Sequence, residues 1–257
     1  MSLKIDHVVI VVKELDLAVS DYGALGFTVV PGGEHADGLT RNALIAFADG
    51  SYLELVTFKQ APSPSHPFAR ALAWGGGIVT YALLPGDINR TIEEAHGRGL
   101  DLTGPQPGGR VKPDGTQISW QTSRPATNDL PFLCADVTPR GRRVPGGATR
   151  QHPNGVTGIA NITLVVTDPA ASTGRYRALL GIHEESRGQD SHFRLGKTTI
   201  TLSPGTTGHM HEYLMARSDT PYSLTLRTKG EMATALPNPA LTHGVIVEYE
   251  TGRGKHE

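Results

Sequence analysis

The sequence contains few of the features that mark disulfide-rich, membrane-spanning or nucleic-acid-binding proteins. Its 257 residues include a single cysteine, Cys134, which excludes an intrachain disulfide. No apolar run approaches the ~20 residues that a bilayer span requires, and the N-terminus lacks the basic-then-apolar pattern of a secretory signal. A formal net charge of -1 provides no basic field for nucleic acid or an anionic membrane. We therefore expect a cytoplasmic protein with neither a nucleic-acid nor a membrane partner.

Glycine and proline are abundant, with 31 and 18 residues, and they predict many turns and a strand-rich fold. A hydrophobic content of 38% and a charged content of 19% are typical of a globular protein. A chain of this length can bury a sizeable core, as one large domain or two ordinary ones. The strand Phe132 to Val137 places Cys134 among apolar neighbours, and no base stands beside it in sequence to support a nucleophilic role.

The chain up to Phe58 predicts one structural unit of strand, helix and three strands. Residues 5–12 are almost all β-branched and apolar, as in a strand covered on both faces, and His7 is the exception. Apolar residues at helical spacing follow, and Gly26 stands where a left-handed residue would end the helix. Three further strands are predicted at 27–30, 42–48 and 52–58, with turns at Gly32-Gly33 and Asp49-Gly50.

Glu54 interrupts the apolar run of the last strand in this unit much as His7 interrupts the first. An imidazole and a carboxylate on two strands of one unit are the start of a divalent-metal site. Two isolated residues do not make a coordination sphere, however. From the residues alone, a hydrogen-bonded core histidine and an ion-paired or solvated glutamate are therefore the favoured interpretation.

Later segments repeat the first unit with different residues at these two positions. Superposing Gly26 on Gly99 places Thr80 where His7 stands, and the last strand of this second unit offers Cys134 and Asp136 but no glutamate. Superposing Tyr22 on Tyr176 places Asn161 at the histidine position of a third unit. The run Thr199-Ile200-Thr201-Leu202 matches the strand of Glu54 and places Thr201 at the glutamate position. A shortened fourth unit, with two strands at 222–227 and 244–249, completes the chain.

We predict a domain of two units at 1–138, a linker at 139–157 and a third unit with the shortened fourth at 158–257. The linker carries four arginines among glycines and prolines, and we interpret this basic run as a solvated connector. His209 and His211 fall in a segment that is predicted to be a polar loop, although their spacing is also compatible with metal ligation in an extended chain.

Several short motifs in these units point to a known family. They are Asp6-His7-Val8, Leu25-Gly26-Phe27, Gly32-Gly33 with His35, Thr40 and Asn42, Tyr52-Leu53-Glu54-Leu55, Pro113-Asp114-Gly115-Thr116 with Trp120, and Leu130-Pro131-Phe132. With them, the chain resembles the vicinal oxygen chelate superfamily, in particular its glyoxalase-like domain group. The likeness covers residues 4–137 well and residues 156–250 more weakly.

The resemblance implies an α+β fold of tandem βαβββ modules whose curled mixed sheets form a cup around a metal ion and a small substrate. In metal-using members, the first strand of a module supplies a histidine and its last strand a glutamate. His7 and Glu54 stand at these positions and become the candidate metal ligands. The second module normally adds two more ligands, which Thr80 and the region of Cys134 and Asp136 do not supply.

The first functional hypothesis is a glyoxalase-like lyase, isomerase or dioxygenase that uses a divalent zinc, nickel, manganese or iron ion. Glu54 and His35 are the candidate catalytic residues, with Glu54 as ligand, proton-transfer base or both. His35 is the first candidate for a third ligand, followed by His152, His211 and His243. The candidate substrate-binding residues are Thr40, Asn42, Arg110 and Trp120, of which Arg110 suits a carboxylate or phosphate.

The second hypothesis is a metal-free protein that sequesters a small hydrophobic molecule in the same cup, as resistance-type members of the superfamily do. The missing ligands of the second module favour it, whereas the retention of His7 and Glu54 together favours the enzyme. Both hypotheses expect a small molecule as the partner, and both leave open the pairing of two chains into a homodimer.

Overall fold

The fold is described from a computed structural model that covers residues 3–64, 66, 68–206, 208–230 and 237–251. The first module has the predicted order of strand, helix and three strands. Its helix buries Leu15, Ala18 and Tyr22 and is followed by Gly26 at φ +82°, as the sequence predicted. The elements are β1 (Lys4–Val11), α1 (Leu15–Ala24), β2 (Val30–His35), β3 (Thr40–Ala46) and β4 (Tyr52–Phe58).

The second strand of this module lies later in the chain than the sequence indicated. The structure begins β2 at Val30 rather than at Phe27 and extends it through the two glycines that were predicted to form a turn. The register of β2 on β3 shifts between Pro31 and Gly33, so the glycines form an irregular part of the ladder. A strand that depends on such an irregularity has no clear period-2 pattern in its sequence.

The second module repeats this order after a short helix. Asp87 caps its main helix, because the Asp87 carboxylate accepts a hydrogen bond of 3.1 Å from the backbone N–H of Arg90. The elements are α2 (Ala69–Ala73), β5 (Gly77–Leu84), α3 (Ile88–Gly97), β6 (Leu102–Val111), β7 (Gln117–Pro125) and β8 (Phe132–Asp136).

The eight strands of the two modules close into one barrel with the order β1-β4-β3-β2-β6-β7-β8-β5. The modules meet twice, where β1 pairs antiparallel with β5 and where β2 pairs antiparallel with β6. Strand alternation divides the apolar residues into two layers. Val8 and Ile10 pack in the main core with the helices, whereas Val9 packs in a smaller inner cluster with Val56, Ala82, Phe132 and Cys134.

The third module and two further strands form a separate six-stranded sheet with the order β10-β11-β12-β9-β13-β14. Its parallel pairing of β9 with β12 matches the pairing of β1 with β4 in the first module. Residues 231–236, between the last two strands, lie outside the described part of the chain. The elements are β9 (Val156–Val165), α5 (Pro169–Leu180), β10 (Glu185–Arg187), β11 (Asp190–Leu195), β12 (Thr198–Ser203), α6 (Gly208–Arg217), β13 (Thr220–Thr228) and β14 (Ile246–Thr251).

The barrel and the second sheet share one continuous core. Within it, Tyr176 of α5 donates a hydrogen bond of 2.7 Å to the backbone oxygen of Asp129. Its hydroxyl also lies 2.6 Å from that of Tyr81 on β5, so Tyr81 is the donor in that contact. Among the helices of the described residues, none combines the length and the hydrophobicity needed to cross a bilayer.

The predicted linker is not a solvated connector, and this interpretation of its arginines was wrong. It contains a short helix, α4 (Arg140–Arg143), whose Arg143 side chain is only 2% exposed. The Arg143 guanidinium lies 2.7 Å from Asp6 and 2.5 Å from Asp136, and it donates a hydrogen bond of 2.7 Å to the Tyr52 hydroxyl. Arg140 reaches Asp6 at 2.5 Å as well. These ion pairs fix α4 to the barrel, while the domain limits at 138 and 158 stay a prediction.

We predict that Arg143→Met lowers the free energy of unfolding by about 3–5 kcal/mol, because it leaves the fully buried Asp6 carboxylate without its main counter-ion. Arg142→Met, on the same helix but exposed, serves as the control and should change stability by no more than about 0.5 kcal/mol. Chemical denaturation measures both variants. Equal stabilities of the two variants would contradict the role given to Arg143.

The same pair of variants should respond differently to acid. Burial raises the pKa of Asp6, but the His7 hydrogen bond and the Arg143 charge outweigh it and hold the pKa well below its usual range. The stabilisation is therefore present above about pH 4, the ordinary aspartate value, and is lost as the pH falls further. The stability difference between wild type and Arg143→Met should shrink below that pH. A difference that stays constant down to about pH 2 would count against the ion pair as its source.

Candidate functional site

The barrel encloses a cavity of about 450 Å³, a size suited to a small organic molecule. Most of the residues that the sequence singled out meet in its wall. These are His7, His35, Thr40, Glu54, Arg110 and Trp120. Asn42, which was predicted to bind substrate, is buried behind Glu54 and contacts the cavity through that residue.

A β-bulge in the first strand places two consecutive side chains on the same side. In the pairing of β1 with β5, Ile5 faces Leu83 and His7 faces Ala82, so Asp6 is the extra residue of the bulge. Asp6 and His7 consequently both turn inward, and His7 Nδ1 donates a hydrogen bond of 2.7 Å to Asp6 Oδ2. Because a carboxylate only accepts hydrogen bonds, this contact fixes the proton on Nδ1 of His7 and directs its Nε2 into the cavity.

Glu54 lies between two imidazoles. Its Oε2 is 3.4 Å from Nε2 of His7, and its Oε1 is 3.3 Å from Nε2 of His35. The register explains the arrangement, because Val9 pairs with Glu54 on β4 and His7, two residues earlier on β1, shares its face. The far nitrogen of His35 is held by the Thr40 hydroxyl at 2.7 Å. We refer to these three residues as the His7–Glu54–His35 triad.

The surroundings of Glu54 keep its carboxylate ionised although it is buried. Burial raises the pKa of Glu54, but the hydrogen bond of His35, the positive charge that His35 and His7 carry when protonated, and the amide of Asn42 lower it well below its usual range. Asn42 Nδ2 donates to Glu54 Oε1 at 2.5 Å. Asn42 takes this position because Gly32 lies against it, since a Cβ on Gly32 would stand 2.0 Å from the Asn42 side-chain oxygen.

The donor chemistry of the triad fits a divalent metal ion, since two imidazoles and one carboxylate are a common ligand set. Asp6 also fits, because a carboxylate on the far nitrogen of a ligating histidine orients the ring. In the described residues, no group of three His, Cys, Asp or Glu side chains is already set to hold a metal ion. The two Nε2 atoms of the triad lie 3.4 and 3.3 Å from the carboxylate oxygens.

Arg110 and Trp120 lie next to His35 in the cavity wall, where the two modules join. His35 on β2 pairs with Arg110 on β6, and Gly108 on β6 pairs with Trp120 on β7. A Cβ on Gly108 would lie 2.4 Å from the Trp120 indole nitrogen, so the glycine lets the ring lie over the strand. The Trp120 ring stands edge-on to His35 at 6.0 Å between centroids.

The second module supplies an apolar residue instead of a second carboxylate. Ala82 on β5, the counterpart of Val9 when the two modules are superposed, pairs with Phe132 on β8, whereas Val9 pairs with Glu54. Phe132 therefore occupies the position of Glu54, and Thr80 that of His7. In the third module, Thr163 pairs with Thr201, which places Thr201 at the glutamate position as the sequence predicted.

The other histidines proposed as a third ligand are engaged elsewhere. Nδ1 of His152 accepts a hydrogen bond from the backbone N–H of Thr28, and its Nε2 donates to the backbone oxygen of Ala46. His243 lies 3.0 Å from the Asp21 carboxylate. His211 is exposed on α6, so the prediction of a loop or an extended segment there was wrong. Residues two apart on a helix point to different faces, so His209 and His211 do not form the pair of metal ligands that an extended segment would allow.

Sequence reasoning missed several residues of the cavity and its support. Asp6 was missed because alternation places neighbours on opposite faces, and a bulge is not visible in the sequence. Arg143 was missed because its partners on β1 and β4 are distant in the chain. The remaining missed residues of the wall include Tyr52, His66, Arg124 and Phe132, of which Tyr52 stacks on His7 at 4.7 Å between centroids.

Comparisons with known proteins agree with this architecture. The model of the glyoxalase-like domain family matches residues 5–180. No curated protein matches the sequence at a significant level. Among solved structures, a hypothetical protein from Staphylococcus aureus is similar over 97% of this chain and 99% of its own, with a TM-score of 0.77 and 14% identity.

Two further structures carry enzyme names. A mutant of 4-hydroxymandelate synthase from Streptomyces coelicolor is similar over 89% of this chain and 72% of its own, with a TM-score of 0.61 and 16% identity. A fusion of a xylose isomerase-like TIM barrel with 4-hydroxyphenylpyruvate dioxygenase is similar over 88% of this chain and 36% of its own, with a TM-score of 0.55 and 13% identity. At these identities the likeness shows the fold. Since the family model matches more than half of the chain, and the strands have the order that the resemblance implied, this protein belongs to the glyoxalase-like domain family.

Proposed function

We propose that this protein is a divalent-metal-dependent lyase, isomerase or dioxygenase that acts on a small oxygenated organic molecule in the barrel cavity. His7, Glu54 and His35 are the metal ligands in this proposal. The observation that carries it is the contact of one ionised carboxylate with the Nε2 atoms of two imidazoles, at 3.4 and 3.3 Å.

The hydrogen bond between Asp6 and His7 determines which His7 nitrogen carries the proton, and so what the ring presents to Glu54. With the proton of His7 on Nδ1, a neutral ring turns a lone pair toward the Glu54 carboxylate, which is electrostatically unfavourable. The contact therefore needs positive charge between the two atoms, either a second proton on the ring or a metal ion. We assign that charge to a metal ion, because the three donor groups are of the types that transition metals prefer.

A divalent ion at this place supplies a Lewis acid that polarises substrate oxygens and stabilises developing negative charge. The residues of the chain do the rest. Glu54 accepts or returns a proton at its carboxylate, which the Asn42 amide holds in position. The Thr40 hydroxyl and the Trp120 ring bind the substrate beside His35. Phe132 and Val56 bury its apolar part.

A second candidate function is metal-free binding of a small hydrophobic molecule. It is favoured by Thr80 and Phe132, which stand in the second module where metal-using relatives would supply ligands, and by the direct contacts within the triad. In this case the imidazoles carry the positive charge as protons, and the cavity sequesters its ligand without chemical change.

Metal binding should depend on the triad. Protein that has been treated with a chelator should be stabilised by about 3 kcal/mol at 100-fold excess of nickel, manganese, zinc or iron over its Kd. His7→Gln and Glu54→Gln should lose this stabilisation. His192→Gln is the matched control, since His192 contacts Thr201, the counterpart of Glu54 in the third module, and should keep it. Thermal unfolding with each metal measures the effect, and His35→Gln tests the third ligand.

Two results of this experiment would decide against the enzyme. Wild type that neither retains near-stoichiometric metal on purification nor gains thermal stability from any of the four ions would favour the metal-free candidate. Stabilisation that is unchanged in both His7→Gln and Glu54→Gln would place the metal elsewhere.

Asp6 should act on metal affinity through His7. Asp6→Asn removes the carboxylate that orients the ring and should weaken metal binding by roughly 10- to 100-fold. Asp136→Asn is the control, because Asp136 also pairs with Arg143 but has no described contact with His7. Its metal affinity should stay within about twofold of wild type, and calorimetric titration measures both. An equal loss in the two variants would mean that Asp6 acts only through Arg143.

A further inference from the structure

Arg110 is a buried cation that forms no ion pair with any carboxylate of the described residues. Its side chain lines the cavity, and the residue is only 3% exposed. Its one described hydrogen bond runs from Nη2 to the backbone oxygen of Arg143, at 2.6 Å. Its Nε is buried and has no hydrogen-bond partner in the part of the chain that the structure describes. In contrast, His7 and Arg143 in the same cavity wall are each paired with a carboxylate.

The comparison with Arg143 makes this arrangement unusual. Both guanidiniums belong to the same cavity wall, and both are almost completely buried. Arg143 is compensated by the carboxylates of Asp6 and Asp136, whereas Arg110 receives a single neutral acceptor. Burying a charge is costly unless it is paired, and a guanidinium cannot escape the cost by losing its proton. An uncompensated cation in a cavity wall is therefore expected to serve a ligand.

The neighbouring groups indicate the shape of that ligand. The Glu54 charge favours the Arg110 guanidinium at longer range, but the Glu54 carboxylate is engaged by His7, His35 and Asn42 and forms no ion pair with Arg110. The rings of Trp120 and Phe132 line the same cavity and provide an apolar surface. At the mouth, the exposed Arg124 lies 4.4 Å above the Phe132 ring and adds a second positive charge.

We propose that Arg110 binds the acid group of an anionic substrate, namely a small organic carboxylate with an apolar or aromatic body. The acid group accepts hydrogen bonds from the guanidinium, which is suited to carboxylates by its planar array of donors. The body packs against Trp120 and Phe132, and the remaining oxygen-bearing part faces the triad. The proposal rests on the cavity being the substrate site proposed above, and it names the class of substrate.

Arg110 could instead have a purely structural role, as the donor to the Arg143 backbone. The two roles predict opposite effects on stability. If Arg110 is structural, its replacement should lower the stability of the protein. If Arg110 instead binds a ligand, its unpaired buried charge destabilises the free protein, and folding should not depend on it. Arg110→Gln should therefore unfold at the same temperature as wild type or at a higher one.

Ligand binding in the cavity is measured best through the fluorescence of Trp120. The sequence has two tryptophans, and Trp74 is exposed, so Trp74→Phe leaves Trp120 as the only tryptophan reporter in the cavity. In this background, treated with a chelator to remove metal, the probes are phenylacetate, its neutral isostere phenylacetamide, and benzylphosphonate. Fluorescence titration gives the Kd of each probe, and the matched pair isolates the effect of the acid group.

Phenylacetate should quench Trp120 saturably and bind roughly 10- to 100-fold more tightly than phenylacetamide, as expected for a charge-assisted hydrogen bond. Arg110→Gln should abolish the preference while leaving the affinity for phenylacetamide within about threefold, and Arg110→Lys should keep part of it. Arg124→Gln, at the mouth, should weaken the preference by less than about threefold, because Arg124 is exposed to solvent. Arg142→Gln, an exposed arginine that does not line the cavity, is the control and should leave the preference unchanged. Tighter binding of benzylphosphonate than of phenylacetate would mean that the acid group of the ligand is a phosphonate or phosphate and not a carboxylate.

Several outcomes would overturn the proposal. They are the absence of saturable phenylacetate binding, equal affinities for phenylacetate and phenylacetamide in the wild-type cavity, and a preference that survives Arg110→Gln or disappears in Arg124→Gln. If Arg110→Gln fails to fold, Arg110 is structural and the proposal also fails. Carboxylate binding that appears only with added metal and is unchanged in Arg110→Gln would show that the metal binds the acid group. That result would support the proposed enzyme but contradict this inference.

Discussion

The site depends on one fully buried carboxylate, that of Asp6. It accepts a hydrogen bond from His7 and binds two arginines from the short helix after the barrel, Arg140 and Arg143. One group thus sets the tautomer of a cavity histidine and also fixes the segment that connects the two halves of the chain. Because removing either partner leaves charge buried and unpaired, the orientation of the ring and the attachment of α4 to the barrel are energetically linked.

The repetition of one module explains both the shape of the cavity and its one-sided chemistry. Two modules joined at β1–β5 and β2–β6 enclose a space that neither module has alone. The first contributes the imidazoles and the carboxylate, and the second contributes Arg110, Trp120 and Phe132. The family resemblance implied ligands from two modules, whereas this chain concentrates its donors in one. In the proposed function, the residues of the second module bind the substrate.

Much of this architecture could be predicted from the sequence. The alternation of β1 and β4, the helix end at Gly26 and the two internal repeats of the first unit indicated the module order and the positions of His7, Glu54 and Thr201. His35 was also found, because it accompanies a motif of the family, and Arg110 was found because its charge suits an acid group of a substrate. The role of Asn42 as a support for Glu54, rather than as a wall residue, depends on the close approach of Gly32 and could not be inferred from either residue alone.

What the sequence could not show is set by long-range contacts and by backbone irregularities. The bulge at Asp6 overrides the alternation on which strand predictions rely. The burial of Arg143 depends on carboxylates from β1 and β8, so a local basic run looked like a solvated connector. Both features belong to the same ion-pair cluster, and together they hold His7 in position.

Imidazole nitrogen NMR of His7, with His7→Gln used to assign its signal, tests whether Asp6 directs a metal-binding nitrogen at Glu54. We predict a proton on Nδ1, and an Nε2 resonance without a proton that shifts or broadens when a divalent metal is added. A ring that carries its proton on Nε2 alone, or a doubly protonated ring that does not respond to any of the four metals, would contradict this role of Asp6.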